Sequence, residues 1–289
     1  MYDIIIIGAG PAGISASLYA KRANKSVLVL YHGESQLEKA HKIDNYYGFA
    51  DGISGADLYS VGIAQAKNLG VDVVNEEALG VSMNADMNYE VSTKNNKYVG
   101  QALILSTGSK KVRPNIEGVD EYEGRGISYC AICDGFFYRK KRVAVLGNED
   151  YAVSEAGELE NIAGSLVILT NGLPAPATDK YEVNTKRIKE IAGEAKLGRI
   201  IFEDGSELEL DGLFVAQGVA GGVDFAKKLG ILTEGDKISV KEDMSTNLPG
   251  IFSCGDVTGG LLQVSKAVYE GAEAGLSAVK YVKNKNKEK

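Results

Sequence analysis

Ile4–Ile7 is an unbroken apolar run, and Gly8-Ala9-Gly10-Pro11-Ala12-Gly13 follows it without a spacer. Such a run, stopped by a glycine cluster, predicts a buried strand over Asp3–Ile7 that turns directly into a helix reaching about Ala23. Ser26–Leu30 is apolar again, so residues 1–30 read strand–turn–helix–strand. Polar and glycine-rich connections extend to Ile53, and a helical pattern runs from about Gly55 to Leu69. Period-two alternation then predicts short strands at Val71–Val74, Ala78–Met83, Tyr89–Ser92 and Tyr98–Val99. Ala102–Leu105 is a further apolar strand, ending in the small-residue turn Ser106-Thr107-Gly108.

Lys110-Lys111-Val112-Arg113-Pro114 replaces this rhythm with charge and proline, which marks a linker. Beyond it the pattern restarts. Arg142–Leu146 reads as a strand, Gly147 as a turn, Tyr151–Ile162 as a helix, and Ser165–Leu169 and Gly212–Ala216 as later strands. Asp243–Leu248 reads as a return linker, after which Gly250–Asp256 leads into a last helix over Gln263–Val282. The lysine-rich end, Lys283–Lys289, is expected to fray. The pattern predicts an α/β chain of two Rossmann-like three-layer domains, the second inserted in the first. Residues 1–111 with 244–289 form one, and residues 112–243 the other.

At 289 residues the chain is long enough for two such cores. A net charge of −7 excludes the basic footprint of a nucleic-acid binder. Ile4–Ile7 is too short for a signal-peptide core, and no run approaches the roughly 18 apolar residues of a membrane span. A cytoplasmic protein is therefore expected. In that compartment three cysteines do not make a structural framework, so the pair in Cys130-Ala131-Ile132-Cys133 points to catalysis or to a metal.

A GxGxxG directly after a strand and opening a helix is a dinucleotide fingerprint. Gly8 permits the tight turn, Gly10 lets a pyrophosphate approach the backbone, and Gly13 allows close helix–strand packing. The acid expected at the end of the second strand is replaced by Tyr31-His32-Gly33-Glu34, which opposes a simple NAD site and leaves room for a flavin dinucleotide. In the CxxC, a thiolate at a helix N-terminus has its pKa lowered and attacks disulfides. A zinc site would need two more ligands, for which only Cys254, His32 and His41 remain, and none forms a close pair, so no metal is expected. Cys254 is expected to pack as a small apolar residue, and both histidines to lie in loops.

Taken together, Gly8–Gly13, Gln36-Leu37, Ile43-Asp44-Asn45, Thr107-Gly108, Cys130–Gly135 and Cys254-Gly255-Asp256-Val257 resemble the low-molecular-weight thioredoxin reductase family over essentially the whole chain. The resemblance implies an FAD/NAD(P)-binding disulfide reductase architecture, thioredoxin as partner and a homodimer. It places Gly8, Gly10, Pro11, Ala12, Gly13, Thr107 and Gly108 at the FAD phosphates and nearby backbone. Gln36, Leu37 and Asn45 would line the flavin's path, and Gly255-Asp256 would bring Asp256 to the ribityl hydroxyls. Gln263 and Val264, at a helix start, would face the isoalloxazine pyrimidine edge, although Leu262 stands where the family has an arginine. Cys133 would face the flavin, Cys130 would attack thioredoxin, and Asp134 would protonate the departing thiolate.

The family pattern breaks in the second domain. NADPH-using members carry GxGxxA there; this chain reads Gly147-Asn148-Glu149-Asp150-Tyr151-Ala152. At about 5 Å and an effective dielectric near 20, a carboxylate facing a phosphate costs roughly 3 kcal/mol, about two powers of ten in affinity. The second strand ends Leu169-Thr170-Asn171-Gly172, without the arginines that take a 2′-phosphate, although Asn171 could meet an NADH ribose. NADPH binding is therefore expected to be lost or weak. An intact flavin site and CxxC beside a lost NADPH site resemble the ferredoxin-dependent flavin thioredoxin reductases. Transfer from a plant-type ferredoxin near −400 mV to thioredoxin near −270 mV is downhill by about 6 kcal/mol for two electrons. Lys110, Lys111, Arg113 and Arg139–Arg142 are the candidate docking cations, Arg139–Arg142 also reading as a solvated face. The rival readings are an NAD(P)H-dependent reductase with an atypical site, a small-molecule dithiol oxidase (opposed by Asp134), and a non-catalytic flavin redox sensor.

Overall fold

The computed structural model describes residues 1–108, 114–129, 131–218 and 221–287, the side chain of Cys133 excepted. The chain folds into two compact units, Met1–Lys110 with Gly221–Lys289, and Lys111–Ala220. In chain order the first unit opens with β1 (Tyr2–Ile7), α1 (Pro11–Arg22), β2 (Val27–Tyr31), α2 (Gly55–Asn68), β3 (Asp72–Asn75), β4 (Gly80–Met83), β5 (Tyr89–Ser92) and β6 (Lys97–Leu105). The inserted unit holds α3 (Val119–Tyr122), β7 (Ile127–Ser128), α4 (Ala131–Asp134), β8 (Arg142–Leu146), α5 (Asp150–Leu159), β9 (Ser165–Leu169) and β10 (Glu182–Asn184). It continues with β11 (Ile188–Gly193), β12 (Leu197–Phe202), β13 (Glu207–Glu209) and β14 (Gly212–Val215). The chain then returns through α6 (Gly222–Leu229), β15 (Thr233–Glu234), β16 (Lys237–Ile238), β17 (Ile251–Ser253) and α7 (Val264–Lys285).

The first unit is built on a sheet of order β3-β2-β1-β6-β5-β4, with β17 also paired to β6. β1, β2, β3, β6 and β17 run parallel, whereas β4 and β5 are antiparallel. Ile4–Ile6 are fully buried, as a parallel strand covered on both faces requires. The sequence pattern divided β6 at Gly100-Gln101, yet the strand is continuous. Gln101 is buried with its Nε2 donating to Asp3 Oδ1 at 3.4 Å, and a Cβ on Gly100 would stand 2.8 Å from Ile5 Cγ1. β6 then forks on its other edge: residues 97–100 pair with β5 and residues 103–105 with β17.

That fork brings the two ends of the chain together. β17 lies on β6, and α7 packs on α1 through small residues. A Cβ on Gly271 would overlap the Ala12 carbonyl, one on Gly275 would meet the Ala16 carbonyl oxygen at 2.6 Å, and Ser15 Oγ donates to the Val268 carbonyl at 2.7 Å. The inserted unit has a parallel sheet, β10-β9-β8-β14-β7, and an antiparallel one, β11-β12-β13. Its core gathers Leu146, Leu169, Ile188, Ile200, Phe202 and Leu213.

Three sequence expectations are corrected. The chain re-enters the first unit at Gly221 rather than at residue 244, because α6 buries Val223, Phe225 and Ala226 there and the Gly222 amide donates to Thr107 Oγ1 at 2.7 Å. The last helix does not end at Val282 but runs to Lys285, whose ammonium reaches the Met87 carbonyl at 2.5 Å and Asn88 Oδ1 at 3.0 Å. Finally, α5 stops at Leu159, not Ile162, as the chain turns so that the Gly164 amide donates to the Lys141 carbonyl. Among the described residues no helix is long and apolar enough to cross a membrane.

Candidate active site

In the first unit the glycine loop is shaped by contacts that a side chain would destroy. Gly8 has φ +112°, and a Cβ there would run into the Ser106 backbone. A Cβ on Gly13 would overlap the Gly8 carbonyl and stand 2.6 Å from Ser106 Oγ, the hydroxyl that ties the loop by donating towards the Ile7 and Gly8 carbonyls at 3.0 Å each. Gly10 differs: among the described residues nothing lies within 4 Å of where its Cβ would be. It caps α1 without a side chain, Pro11 follows at the start of the helix, and the first turn carries no acid. Open space at Gly10 beside an uncompensated positive helix end fits the pyrophosphate of a dinucleotide.

Five expected flavin-site segments lie on this unit. Gly255 (φ +84°) comes within 2.9 Å of Ala12 Cβ if given a Cβ of its own, so the turn bearing Asp256 sits against the start of α1. Asn45 Nδ2 donates to Gln263 Oε1 at 3.1 Å, joining two residues far apart in sequence, and Gln263 caps α7 just before Val264. Gln36 and Leu37 occupy a single 3-10 turn capped by Ser35, whose Oγ accepts from the Leu37 amide while Glu38 accepts from the Ser35 amide. The Leu37 carbonyl lies where a Cβ on Gly55 would be, which fixes that turn to the start of α2. The Thr107 hydroxyl is occupied as the acceptor for the Gly222 amide, and Gly108 takes φ +77°.

The Asp256 turn is underpinned from α7. Lys266 Nζ lies 2.9 Å from the Gly255 carbonyl oxygen, 2.5 Å from that of Gly259, 3.0 Å from Thr258 Oγ1 and 2.9 Å from Glu270 Oε2. Glu270 Oε2 in turn accepts from the Gly255 amide at 2.8 Å. Cys254, next to this turn, is fully buried, and burial pushes its thiol pKa far up, with Glu270 adding to the shift. It packs as an inert small residue. His32 and His41 are exposed in loops.

In the inserted unit, Cys130 and the Cys133 side chain fall outside the described residues. Their surroundings carry two side-chain anchors. Asp134 Oδ2 accepts from the buried Ser128 hydroxyl at 2.6 Å, which orients the carboxyl. Glu155, on α5 and 1% exposed, accepts from the Ala131 amide at 2.9 Å, so a buried carboxyl holds the backbone between the two cysteines. Phe136 and Phe137 follow, both exposed, with ring centroids 6.4 Å apart. Tyr138 packs edge-on against Phe214 at 5.2 Å, and its pKa is raised by burial and then by the Asp134 and Asp211 charges.

The second glycine loop also joins a strand to a helix, but acids stand at the start of its helix. A Cβ on Gly147 would overlap the Ala216 carbonyl and stand 2.8 Å from Ala152 Cβ, so this glycine is required by packing alone. Glu149 is the N-cap of α5, exposed and extended at φ −123°, ψ −178°, and Asp150 is in the first turn. Acids here satisfy the helix dipole that a phosphate would otherwise meet. At the end of β9, Asn171 Oδ1 accepts from the Ile188 amide at 2.8 Å, so it is engaged with the backbone. An arginine nevertheless reaches this turn: Arg187 Nε would lie 3.1 Å from a Cβ on Gly172. Of the candidate docking cations, Lys110, Lys111 and Arg113 lie outside the described residues. Arg142 Nη1 pairs with Glu209 Oε2 at 2.7 Å, and Lys141 Nζ sits 5.5 Å from the Tyr138 ring centroid.

Comparison with known proteins places this arrangement. The model of the pyridine nucleotide-disulphide oxidoreductases matches residues 2–271. The chain belongs to this family. It is 33% identical over 307 residues to a thioredoxin reductase of Aquifex aeolicus, covering 99% of this chain and 95% of that protein. A thioredoxin reductase of Listeria innocua is 34% identical over 302 residues, covering 98% and 94%. Among solved structures, an atypical thioredoxin reductase, TRi, from Desulfovibrio vulgaris Hildenborough superposes with a TM-score of 0.91 at 38% identity, covering 98% of this chain and 99% of that one. A ferredoxin-flavin thioredoxin reductase from Clostridium acetobutylicum superposes with a TM-score of 0.70 at 32% identity, covering 98% of each. The chain is thus an oxidoreductase acting on disulfides, with the two-unit fold of thioredoxin reductases. The family implies FAD, and the Gly8–Gly13 cradle fits it.

Sequence reasoning missed Ser106, Ser128, Glu155, Lys266, Glu270 and Arg187. The first five act on motif backbone or on Asp134 through tertiary contacts that no local spacing announces. Lys266 alone left a trace. A lysine in the first turn of a helix, preceding a glutamate by four residues, is the unfavourable order for both dipole and ion pair.

Proposed function

We propose that this chain is a thioredoxin reductase that draws its electrons from reduced ferredoxin rather than from NADPH. The observation that carries the donor assignment is the start of α5, where Glu149 and Asp150 stand at the helix end that would hold the nucleotide pyrophosphate. The likeness to the ferredoxin-flavin thioredoxin reductase of Clostridium acetobutylicum supports it. Two reduced ferredoxins would supply one electron each. With two protons these open the Cys130–Cys133 disulfide to two thiols, and the thiols close again as thioredoxin's disulfide becomes a dithiol. Bound FAD would supply the junction at which single electrons are gathered into a pair. In this scheme Gly8–Gly13 seat the FAD phosphates, Asp256 holds the ribityl chain, and Asn45 and Gln263 frame the ring. Cys133 meets the flavin and Cys130 attacks thioredoxin. Asp134, aimed by Ser128, protonates the departing thiolate. Exposed Phe136 and Phe137 offer the apolar contact a protein substrate needs. Tyr269 and Leu276, exposed one heptad apart on α7, support a homodimer, which light scattering tests.

Anaerobic mixing of the oxidised holoprotein with NADPH, NADH or photoreduced ferredoxin is the decisive experiment. Ferredoxin bleaches the flavin rapidly and supports turnover of thioredoxin, while both nucleotides leave it oxidised. Rapid bleaching by a nucleotide and none by ferredoxin would overturn the donor assignment. One observation favours that second reading: Arg187 beside Gly172 places a cation at the turn where a 2′-phosphate would be met.

A further inference from the structure

Lys266 and Glu270 sit where helix energetics oppose them, and the turn they hold explains why. Lys266 is the third residue of α7, so its charge faces the positive end of the helix dipole. Its partner Glu270 follows by four residues, the less favourable order for a helical ion pair. Both side chains are largely withdrawn from solvent, 15% and 12% exposed, a costly placement for charges unless their hydrogen bonds are filled. Here they are. The three ammonium protons of Lys266 are shared among the Gly255 and Gly259 carbonyls, Thr258 Oγ1 and Glu270 Oε2. Glu270 Oε2 also accepts from the Gly255 amide, and the Thr258 hydroxyl lies 2.7 Å from the Gly255 carbonyl oxygen and 3.0 Å from Glu270 Oε2. Every contact converges on the segment from Gly255 to Gly259. Its two ends have φ near +84° and +80°, and Asp256 is its second residue.

We propose that Lys266, with Glu270, is the positioning pair for Asp256: it locks the Gly255–Gly259 turn so that the Asp256 carboxylate is preorganised for the ribityl hydroxyls of FAD. This rests on the FAD reading of the first unit. Neither Lys266 nor Glu270 need touch the cofactor; they act through the turn. Glu270 reaches the Gly255 amide and the Thr258 hydroxyl, whereas Lys266 spans the whole turn from the Gly255 carbonyl to that of Gly259.

The test is an FAD titration of the full chain stripped of its flavin, following flavin fluorescence and the spectrum of the bound form, for the wild type, Lys266→Met, Asp256→Ala and the double variant. Lys266→Met weakens FAD binding at least tenfold and blurs the fine structure of the bound-flavin spectrum, and Lys266→Arg restores most of the affinity. Adding Lys266→Met to Asp256→Ala costs less than twofold more, since the residue it positions is already gone. Thr258→Val, which removes a single hydroxyl, weakens binding several-fold and is the fallback should Lys266→Met not fold. Wild-type affinity in both Lys266→Met and Thr258→Val overturns the proposal and leaves the FAD reading standing, as do fully additive losses in the double variant. A wild-type chain that takes up no FAD removes the FAD reading and the proposal with it.

Discussion

Glu149→Gly is the substitution that tests the donor assignment at its root. Glu149 takes an extended conformation that glycine also adopts, and its side chain caps nothing, so the loop keeps its path. For a pyrophosphate seated at this loop as at the first, a carboxylate at about 5 Å repels each phosphate charge by roughly 1 kcal/mol in water and 3 kcal/mol at an effective dielectric of 20. Glu149 is exposed, which places the effect near the lower bound. Removing it should tighten NADPH binding about fivefold, and removing the Asp150 charge as well about thirtyfold. The helix loses about 0.3–1 kcal/mol per acid taken from its N-terminus, so thermal stability falls slightly as affinity rises. Calorimetric titration at 50 mM and 1 M salt checks the sign and the cause. At 1 M salt the screening length is about 3 Å, shorter than the separation, and the gain should collapse. Wild-type binding in the micromolar range that Glu149→Gly leaves unchanged would refute the electrostatic argument. A gain equally large at both salt concentrations would show that bulk, not charge, closes the site.

Other consequences separate packing from chemistry. Gly10→Ala should leave the melting temperature of the apoprotein unchanged while abolishing FAD retention, because open space surrounds that Cβ; Gly13→Ala should lower stability by about 1–3 kcal/mol, since its Cβ overlaps a carbonyl. Equal melting curves for the two variants would contradict this. Glu155→Ala should cost about 1–3 kcal/mol by leaving the buried Ala131 amide without its acceptor, and Glu155→Gln much less; chemical denaturation measures both. Since burial raises the Cys254 thiol pKa, that group stays protonated at pH 8. A Cys130→Ser/Cys133→Ser variant should therefore release no colour from a disulfide reagent when native and one equivalent in guanidinium.

The parts of this fold that were legible in the sequence are those in which a single strong period meets a glycine. Ile4–Ile7 before Gly8, and Val143–Leu146 before Gly147, announce their strands and the helices after them. The antiparallel strands β11–β13 were not read, because alternating charge and apolar residues in runs as short as Glu207–Glu209 resemble polar loop. The eight-residue α6 was hidden by its length, and with it the domain boundary moved from 244 to 221. At the site, Gly8–Gly13, Asn45, Asp256 and Gln263 were legible as motifs. The side chains that hold those motifs were not. Glu155 reaches Ala131 from another helix, and Ser128 reaches Asp134 from a neighbouring strand, so each is an ordinary residue until tertiary structure aims it.

The two glycine loops also separate what a fold needs from what a cofactor needs. In both, the first glycine is forced by a carbonyl: Gly8 by Ser106, Gly147 by Ala216. That requirement belongs to the strand–turn–helix itself and survives whatever binds. The middle position is different. At Gly10 no contact among the described residues demands glycine, and the open space is what a ligand approaching the backbone needs. At Glu149 the same position carries a charged one that projects to solvent, and the chain suffers no clash for it. A packing requirement and a binding requirement have thus come apart in the second loop while remaining together in the first. An intact first glycine is therefore poor evidence for a nucleotide, and the middle position decides. By that criterion the loop of the first unit has the form a dinucleotide needs, whereas the loop of the inserted unit carries a charged side chain at its deciding position.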